Sequence, residues 1–189
     1  METEILYNMW VKKDPQWEAR YEELMRDFVN YGKGVNQYSS DKGVLFGAAY
    51  ELYIVAFFIG LYNDRRKKLN ADRLKQKHFG WAIENWGNFD RKSNKVNYSD
   101  LMNYVFAALI ARTDIDFIAL DKGEISAQKV VSDMMDTMEE YANWGLYYIE
   151  DQRTYNPNAF FNETGFLSVF LDILGYSEEE SEDDEIEDF

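Results

Sequence analysis

The side chains that could do chemistry in this 189-residue chain are mainly cations, and half of its 20 Lys and Arg residues lie between Arg65 and Lys95. Only three carboxylates share this stretch, which we call the basic zone. Cations that contact phosphates, interleaved with rings that stack on bases, are typical of nucleic-acid grooves, and a basic surface also suits an acidic protein. The candidate binding residues are Arg65, Arg66, Lys67, Lys68, Arg73, Lys75, Lys77, Trp81, Arg91, Lys92 and Lys95.

The C-terminal segment carries the opposite charge. Nine carboxylates and no basic residue lie between Ser177 and Phe189, in a chain whose net charge is −15. Such a composition buries too little apolar surface to fold, so it predicts a disordered acidic tail at 177–189 after a helical domain at 1–176. A tail of this charge is suited to compete with other anions for the basic zone.

The other reactive residues match no catalytic or metal-binding motif. His78 is the only histidine and there is no cysteine, which excludes histidine-based triads, disulfides and thiolate metal sites. Asp114, Asp116 and Asp121 superficially resemble a calcium loop, but Ala119 occupies the position where an EF-hand requires glycine. We therefore expect no metal and no cofactor, and we favour a non-enzymatic protein over an enzyme.

A cluster of four carboxylates and one isolated glutamate each have a structural and a functional interpretation. Asp133, Asp136, Glu139 and Glu140 lack the histidine that a di-iron helix pair requires, so we expect them to lie on a solvated helix face. Glu51 interrupts an apolar run, where an unpaired charge is costly. It is either a perturbed carboxylate in a pocket or, as we favour, a structural ion-pair partner or a residue at the wet edge of its helix.

The elements that would position these residues are helices, since only two prolines, Pro15 and Pro157, interrupt the chain. Residues 114–123 fit either a short strand or a buried turn. The chain is thus expected to be an all-α, single-domain, irregular bundle of five to seven helices. Apolar residues spaced by three and four predict helices over about 15–31, 42–69, 79–86, 99–113, 124–153 and 157–175.

One stretch needs comparison with a membrane anchor. Val44–Tyr62 is interrupted only by Glu51 and is flanked by basic residues, as in a membrane span. The carboxylate would be costly inside a bilayer, and a helix that is apolar on every side is also typical of the centre of a bundle. The N-terminus lacks the layout of a signal peptide. We therefore expect a soluble cytoplasmic protein without membrane contact.

The end of that apolar stretch resembles a known family. Residues 56–69, AFFIGLYNDRRKKL, combine an apolar helix, a glycine and an Arg/Lys-rich sequence. They resemble small helical proteins of bacterial DNA-modification and phage-defence islands, DndE-like proteins among them. The resemblance implies that Arg65, Arg66, Lys67 and Lys68 contact DNA or a larger partner subunit.

These observations lead to one leading hypothesis and two others. The leading one is a non-enzymatic accessory protein of a bacterial complex that uses the basic zone and the acidic tail to bind a protein with an acidic surface. The alternative is a nucleic-acid-binding protein of a DNA-modification or phage-defence system. An enzyme would need a pocket centred on Glu51 or on Asp114 and Asp116. Oligomeric state and the identity of any partner stay open.

Overall fold

The computed structural model describes residues 2–29, 46–87, 98–156, 160, 164–173 and 175. This part of the chain is mostly helical, which confirms the expectation of an all-α class. Short 3₁₀ turns occur at 19–21, 73–75 and 83–85. The elements in chain order are α1 (Glu2–Trp10), β1 (Gln16–Glu18), α2 (Glu22–Phe28), α3 (Ala49–Tyr62), β2 (Gln76–His78), α4 (Ser99–Arg112), α5 (Phe117–Asp121), α6 (Ala127–Tyr155) and α7 (Gly165–Ile173).

Helices α3 and α6 pack against each other along most of their shared length and form the centre of the fold. Helix α3 is apolar on all sides, and eight of its 14 residues are buried, as expected of a helix surrounded by other elements. Helix α6, with 29 residues, buries its side chains along one long stripe. Helices α1 and α4 and strand β1 also contact α6, so α6 touches nearly every part of the core.

The crossing of α3 and α6 depends on two glycines. A Cβ atom at Gly145 would lie 1.9 Å from the carbonyl oxygen of Ala56, and one at Gly60 would lie 2.2 Å from the carbonyl oxygen of Tyr141. Both separations are far shorter than any van der Waals contact. The two backbones therefore touch directly, and only residues without a side chain can occupy these positions.

Helix α3 ends earlier than its sequence predicts. The predicted helix over 42–69 extends only over Ala49–Tyr62, because Asp64 adopts a left-handed conformation with φ of 50°. The Arg65 amide then donates to the Gly60 carbonyl at 3.0 Å, and the Asp64 amide donates to the Leu61 carbonyl at 3.1 Å. This pair of bonds is a Schellman motif. Arg65 and the residues after it therefore leave the helix axis.

The N-terminal region also differs from the prediction of one helix over 15–31. Pro15 precedes strand β1, and the helix that follows is short, Glu22–Phe28. Asp14 does not cap a helix; its carboxylate oxygens accept from the Phe79 and Gly80 amides at 3.1 and 2.9 Å. β1 pairs antiparallel with β2, with Trp17 opposite Lys77. Helix α1 was not predicted.

The remaining elements follow the sequence more closely. Helices α4 and α6 confirm the predictions over 99–113 and 124–153. The ambiguous residues 114–123 contain helix α5, and the helix expected over 79–86 is reduced to the 3₁₀ turn Ile83–Asn85. Of the last predicted helix, 157–175, the described part contains α7. No described helix is long and apolar enough to span a membrane.

We expect Gly145→Ala to lower the free energy of unfolding by about 3 kcal/mol or more, the upper end of what overpacking costs, because the added methyl group meets backbone rather than a movable side chain. Urea unfolding followed by far-UV circular dichroism measures the change.

The matched control is Gly47→Ala, whose added Cβ would lie 3.5 Å from the nearest side-chain oxygen of Glu51, an ordinary contact. We expect this control to change stability by no more than about 0.5 kcal/mol. Equal effects of the two substitutions would contradict the close crossing.

Candidate functional site

The first half of the basic zone forms an extended connector, residues 65–75, between α3 and β2. A buried polar pair holds it in place. The Asn143 side-chain amide on α6 donates to the Glu18 carboxylate and to the Lys67 and Lys68 carbonyl oxygens, each at 3.1 Å. The same Glu18 oxygen accepts from the Asn70 amide at 2.9 Å. The path of the connector is therefore fixed by hydrogen bonds to α6 and β1.

Two cations of the connector lie on tyrosine rings of α6. The Lys67 ammonium is 4.1 Å from the centre of the Tyr147 ring, and the Arg66 guanidinium is 4.6 Å from that of Tyr141. Arg66 also donates to the Arg112 carbonyl. Partial burial, with the Arg20 charge acting in the same direction, lowers the pKa of Lys67. These two candidate residues are thus engaged within the molecule.

The other candidate residues differ in their surroundings. Lys77 forms an ion pair with Glu22 at 2.6 Å, and Trp81 is 51% exposed. Arg91, Lys92 and Lys95, like the tail at 177–189, lie outside the described residues. Four cations are exposed and make no ion pair within 4.0 Å with any described carboxylate. They are Arg65, Lys68, Arg73 and Lys75.

The connector and α6 enclose a cleft of about 630 Å³. Its α6 wall presents carboxylates, its connector wall presents Lys68 and Arg73, and its end is closed by the β1–β2 pair. The lining residues are Gln16, Lys68, Leu69, Ala71, Arg73, Gln76, His78, Asp136, Glu139 and Glu140. This is the candidate functional site, because it is concave, polar and lined by charges of both signs.

Glu139 is the most perturbed carboxyl group in this cleft. Burial raises its pKa to about 7, the Gln16 amide that donates to Oε1 at 2.9 Å opposes the shift, and the charges of Asp136 and Asp14 add to it. Burial and the Asp133 charge also raise the pKa of Asp136. A carboxyl group that titrates near neutrality can donate or accept a proton under physiological conditions.

His78 lines the cleft at its β-strand end and contacts Asp14. The His78 Nδ1 atom lies 3.2 Å from the Asp14 carbonyl oxygen and 4.0 Å from the Asp14 carboxylate. The nearby Tyr53 hydroxyl is fully buried and has no hydrogen-bond partner among the described residues. Burial, together with the charges of Glu139 and Asp14, raises the Tyr53 pKa well above its ordinary value. His78 itself is the last residue of β2.

The other carboxylates singled out in the sequence have structural roles. Glu51 lies in the first turn of α3, where it accepts from the Gly47 amide at 2.7 Å and from the Tyr98 hydroxyl at 2.9 Å. It stabilises a helix N-terminus and pairs with no cation in the described structure. Asp116 accepts from the Ala119 amide at 2.8 Å and caps α5. Neither residue is the centre of a described pocket.

Sequence reasoning missed the residues that organise the cleft. We expected Glu139 on a solvated face, and Glu18 and Asn143 were not singled out. The signal was present, since Asp136, Glu139 and Asn143 follow one another at three- and four-residue spacing and so share one face of α6. Within the described residues, no group of three or more His, Asp and Glu side chains is arranged to hold a metal ion.

Comparisons of the chain with protein-family models, with curated proteins and with solved structures find no match. The cleft and the connector are therefore the features of the chain that bear on its function.

We expect Asn143→Asp to release the connector, because it replaces the donor with a carboxylate that faces the Glu18 carboxylate in a buried site. Trypsin should then cut after residues 65–68 at least about tenfold faster than in the unmodified chain, because cleavage tracks the population of the opened state. Mass spectrometry of the early fragments measures this. Unchanged cleavage in a variant that stays folded would contradict the role of Asn143.

We expect Glu139→Gln to stabilise the protein above pH 7. The Glu139 pKa is raised from 4.5 to about 7 in the folded protein, so the folded state binds more protons than the unfolded chain between these values, and stability falls as pH rises through this window. Removal of the ionisable group should raise the unfolding free energy above pH 7 by up to about 3 kcal/mol.

Urea unfolding from pH 5 to pH 8 measures this difference, and Glu140→Gln is the control with the same change of charge on a neighbouring residue. The same stabilisation above pH 7 in both variants would show that the general charge of the cleft, not the burial of Glu139, is responsible.

Proposed function

We propose that residues 1–176 form one irregular helical bundle and that the protein works in the cytoplasm. One continuous cluster of buried hydrophobic residues supports the single domain, since α1, α2, α3, α4, α6 and α7 all contribute to it. Large aromatic side chains such as Trp10, Tyr53 and Phe160 are fully buried in this cluster. The acidic tail at 177–189 is then an appendage to a folded body.

The function that we propose for this body is non-enzymatic: an accessory protein of a bacterial complex that docks an acidic protein surface on the connector. The observation that carries the proposal is the set of exposed cations without a described ion-pair partner, Arg65, Lys68, Arg73 and Lys75. Outside the connector some exposed cations pair, as Lys129 does with Asp133 at 2.5 Å, and others such as Lys12, Lys13 and Lys122 pair with no described carboxylate. The connector, however, has four such unpaired cations within eleven residues. Unpaired cations concentrated on one extended segment favour association with an anionic partner.

The way the connector is held supports docking on it. Its backbone is fixed by Asn143 and by the Lys67 amide, which donates to the Glu140 carbonyl on α6 at 3.0 Å. A segment that is already ordered loses less conformational entropy on binding than a free loop. The four cations are thus presented on a rigid backbone while their side chains keep the reach to meet a partner.

The charge of the tail gives the proposal a regulatory element. The nine carboxylates of 177–189 can occupy the connector, in the same molecule or in another copy, until an acidic partner displaces them. Both contacts are between exposed charges, so both weaken as salt screens them beyond about 8–10 Å.

The alternative function is nucleic-acid binding in a DNA-modification or phage-defence system. The half-exposed Trp81 indole favours it, since an exposed ring a few residues from Lys75 and Lys77 could stack on a base. The carboxylates Asp136, Glu139 and Glu140 lie in the same cleft as Lys68 and Arg73, so they oppose any polyanion there, nucleic acid or acidic protein, and leave Arg65 and Lys75 as the cations outside the cleft.

Fluorescence anisotropy tests both functions with four labelled probes: the peptide of residues 177–189, single-stranded DNA, double-stranded DNA and RNA. We expect a protein that ends at Tyr176 to bind the acidic peptide at low salt and to lose it as salt rises. Neutralising three connector cations should weaken this binding by about tenfold or more, at roughly 1 kcal/mol of attraction lost per exposed charge. The variant carries Arg65→Gln, Arg73→Gln and Lys75→Gln.

The control variant removes the same charge from three exposed lysines elsewhere and should bind within about threefold of the unmodified chain. It carries Lys12→Gln, Lys13→Gln and Lys122→Gln. Preference for DNA or RNA over the peptide would favour the alternative function. Equal losses in the two variants, or no binding of any probe at low salt, would overturn docking on the connector.

A further inference from the structure

The cleft contains carboxylates that the docking of an anion does not use, facing two of the cations that it does. Its connector wall carries Lys68 and Arg73, and its α6 wall carries Asp136, Glu139 and Glu140. No ion pair within 4.0 Å joins the two walls among the described residues. Charges of opposite sign therefore face the same space without pairing with each other.

The position of the connector backbone relative to α6 fixes the two walls of the cleft. The connector is held against α6 by Asn143 and by the Lys67 amide, so the two walls cannot simply close on each other. On the same helix, one turn before Asp136, Asp133 does pair with Lys129 at 2.5 Å. The cleft residues are thus kept apart where neighbouring residues of the same types are paired.

We propose that the cleft binds a small zwitterionic molecule, whose amino cation lies against α6 and whose carboxylate or phosphate lies against the connector. On α6 the cation meets Asp136, Glu139 and Glu140. On the connector the anion meets Lys68 and Arg73. This site goes beyond the proposed docking and does not depend on it, because an acidic protein surface needs only the cations.

The shape and chemistry of the cleft restrict the ligand. A volume of about 630 Å³ lies within the range of small-molecule sites, roughly 300–1,000 Å³. Leu69 and Ala71 are its only apolar lining residues, so the ligand is polar. A purely anionic ligand would be repelled by three carboxylates. The carboxylates of α6 suit an organic ammonium group, from which each of them can accept a hydrogen bond.

Binding of the zwitterion is coupled to the protonation of Glu139. One of its oxygens accepts from the Gln16 amide, and its pKa is about 7. An ammonium group close to it favours the ionised carboxylate, so binding near pH 7 releases a proton. The charges that act on its pKa are Asp136 on the same helix and Asp14 before β1. His78 on β2 and the connector cations Lys68 and Arg73 line the same cleft.

Isothermal titration calorimetry of the full chain at low salt tests this site. The zwitterionic probes are γ-aminobutyrate and O-phosphoethanolamine, and the singly charged probes are butylamine and butyrate. We expect each zwitterion to saturate one site per chain and to bind at least about tenfold more tightly than either singly charged probe. Repetition at pH 7 in two buffers of different ionisation enthalpy should show release of about half a proton, and none for Glu139→Gln.

The variant Asp136→Asn, Glu140→Gln should weaken binding of the zwitterions by about tenfold or more. The control Glu150→Gln, Asp151→Asn removes the same charge from the same helix outside the cleft and should leave binding of the zwitterions unchanged. Because the variant keeps Lys68 and Arg73, it should still bind the peptide of residues 177–189, which separates failure of this site from failure of docking.

Three results would overturn the proposal. The first is absence of saturable binding of both zwitterions to the folded chain. The second is binding of butyrate or butylamine as tight as that of the zwitterions, which would make the cleft a site for one charge only. The third is equal weakening by the cleft variant and by its control.

Discussion

The rest of the structure depends on the backbone contact between α3 and α6. Glycines at positions 60 and 145 let each helix touch the main chain of the other, and this contact sets where α3 ends relative to α6. Close packing of apolar side chains fills the space on both sides of the crossing, with Phe57 and Tyr141 in edge-to-face contact. Without this contact the connector would begin too far from α6 to hydrogen-bond with it.

The connector shows how a charged segment can be ordered without regular secondary structure. Its backbone groups are satisfied by Asn143 and Glu18, which are buried and bonded to each other, so the cost of burying a carboxylate and an amide is offset by several hydrogen bonds. Arg20 adds an ion pair to Glu18 at 3.2 Å. A buried polar network therefore positions the surface cations, and the hydrophobic core does so only indirectly.

The sequence predicted most of what local periodicity determines. Helices α4 and α6 and the all-α class follow from apolar spacing. The end of α3 could not be predicted in the same way, since the left-handed residue is Asp64 and not a glycine, and the run of apolar and then basic residues continues smoothly past it. Strand β1 is only three residues long, and its pairing with β2 across 57 intervening residues is a tertiary contact that no local pattern reports.

The site was predicted only in part, for a similar reason. Composition located the basic zone, but it could not separate Arg66 and Lys67, which lie on tyrosine rings, from Lys68, which faces the cleft. Glu139 looked like any other surface carboxylate, because its burial comes from the Gln16 segment, more than a hundred residues earlier in the chain. Burial of a polar residue depends on which distant segment covers it, and a single sequence does not contain that information.

The Schellman motif at the end of α3 determines which cations of the RRKK stretch are available to a partner. Had the helix continued, the four side chains of residues 65–68 would point in directions about 100° apart around its axis, and none would be held on a tyrosine ring by this turn. Because the chain turns away at Asp64, Arg66 and Lys67 instead pack on tyrosine rings of α6. All four residues of RRKK keep their positive charge, but Arg66 and Lys67 would have to leave a tyrosine ring to carry that charge to a partner, whereas Arg65 and Lys68 would not.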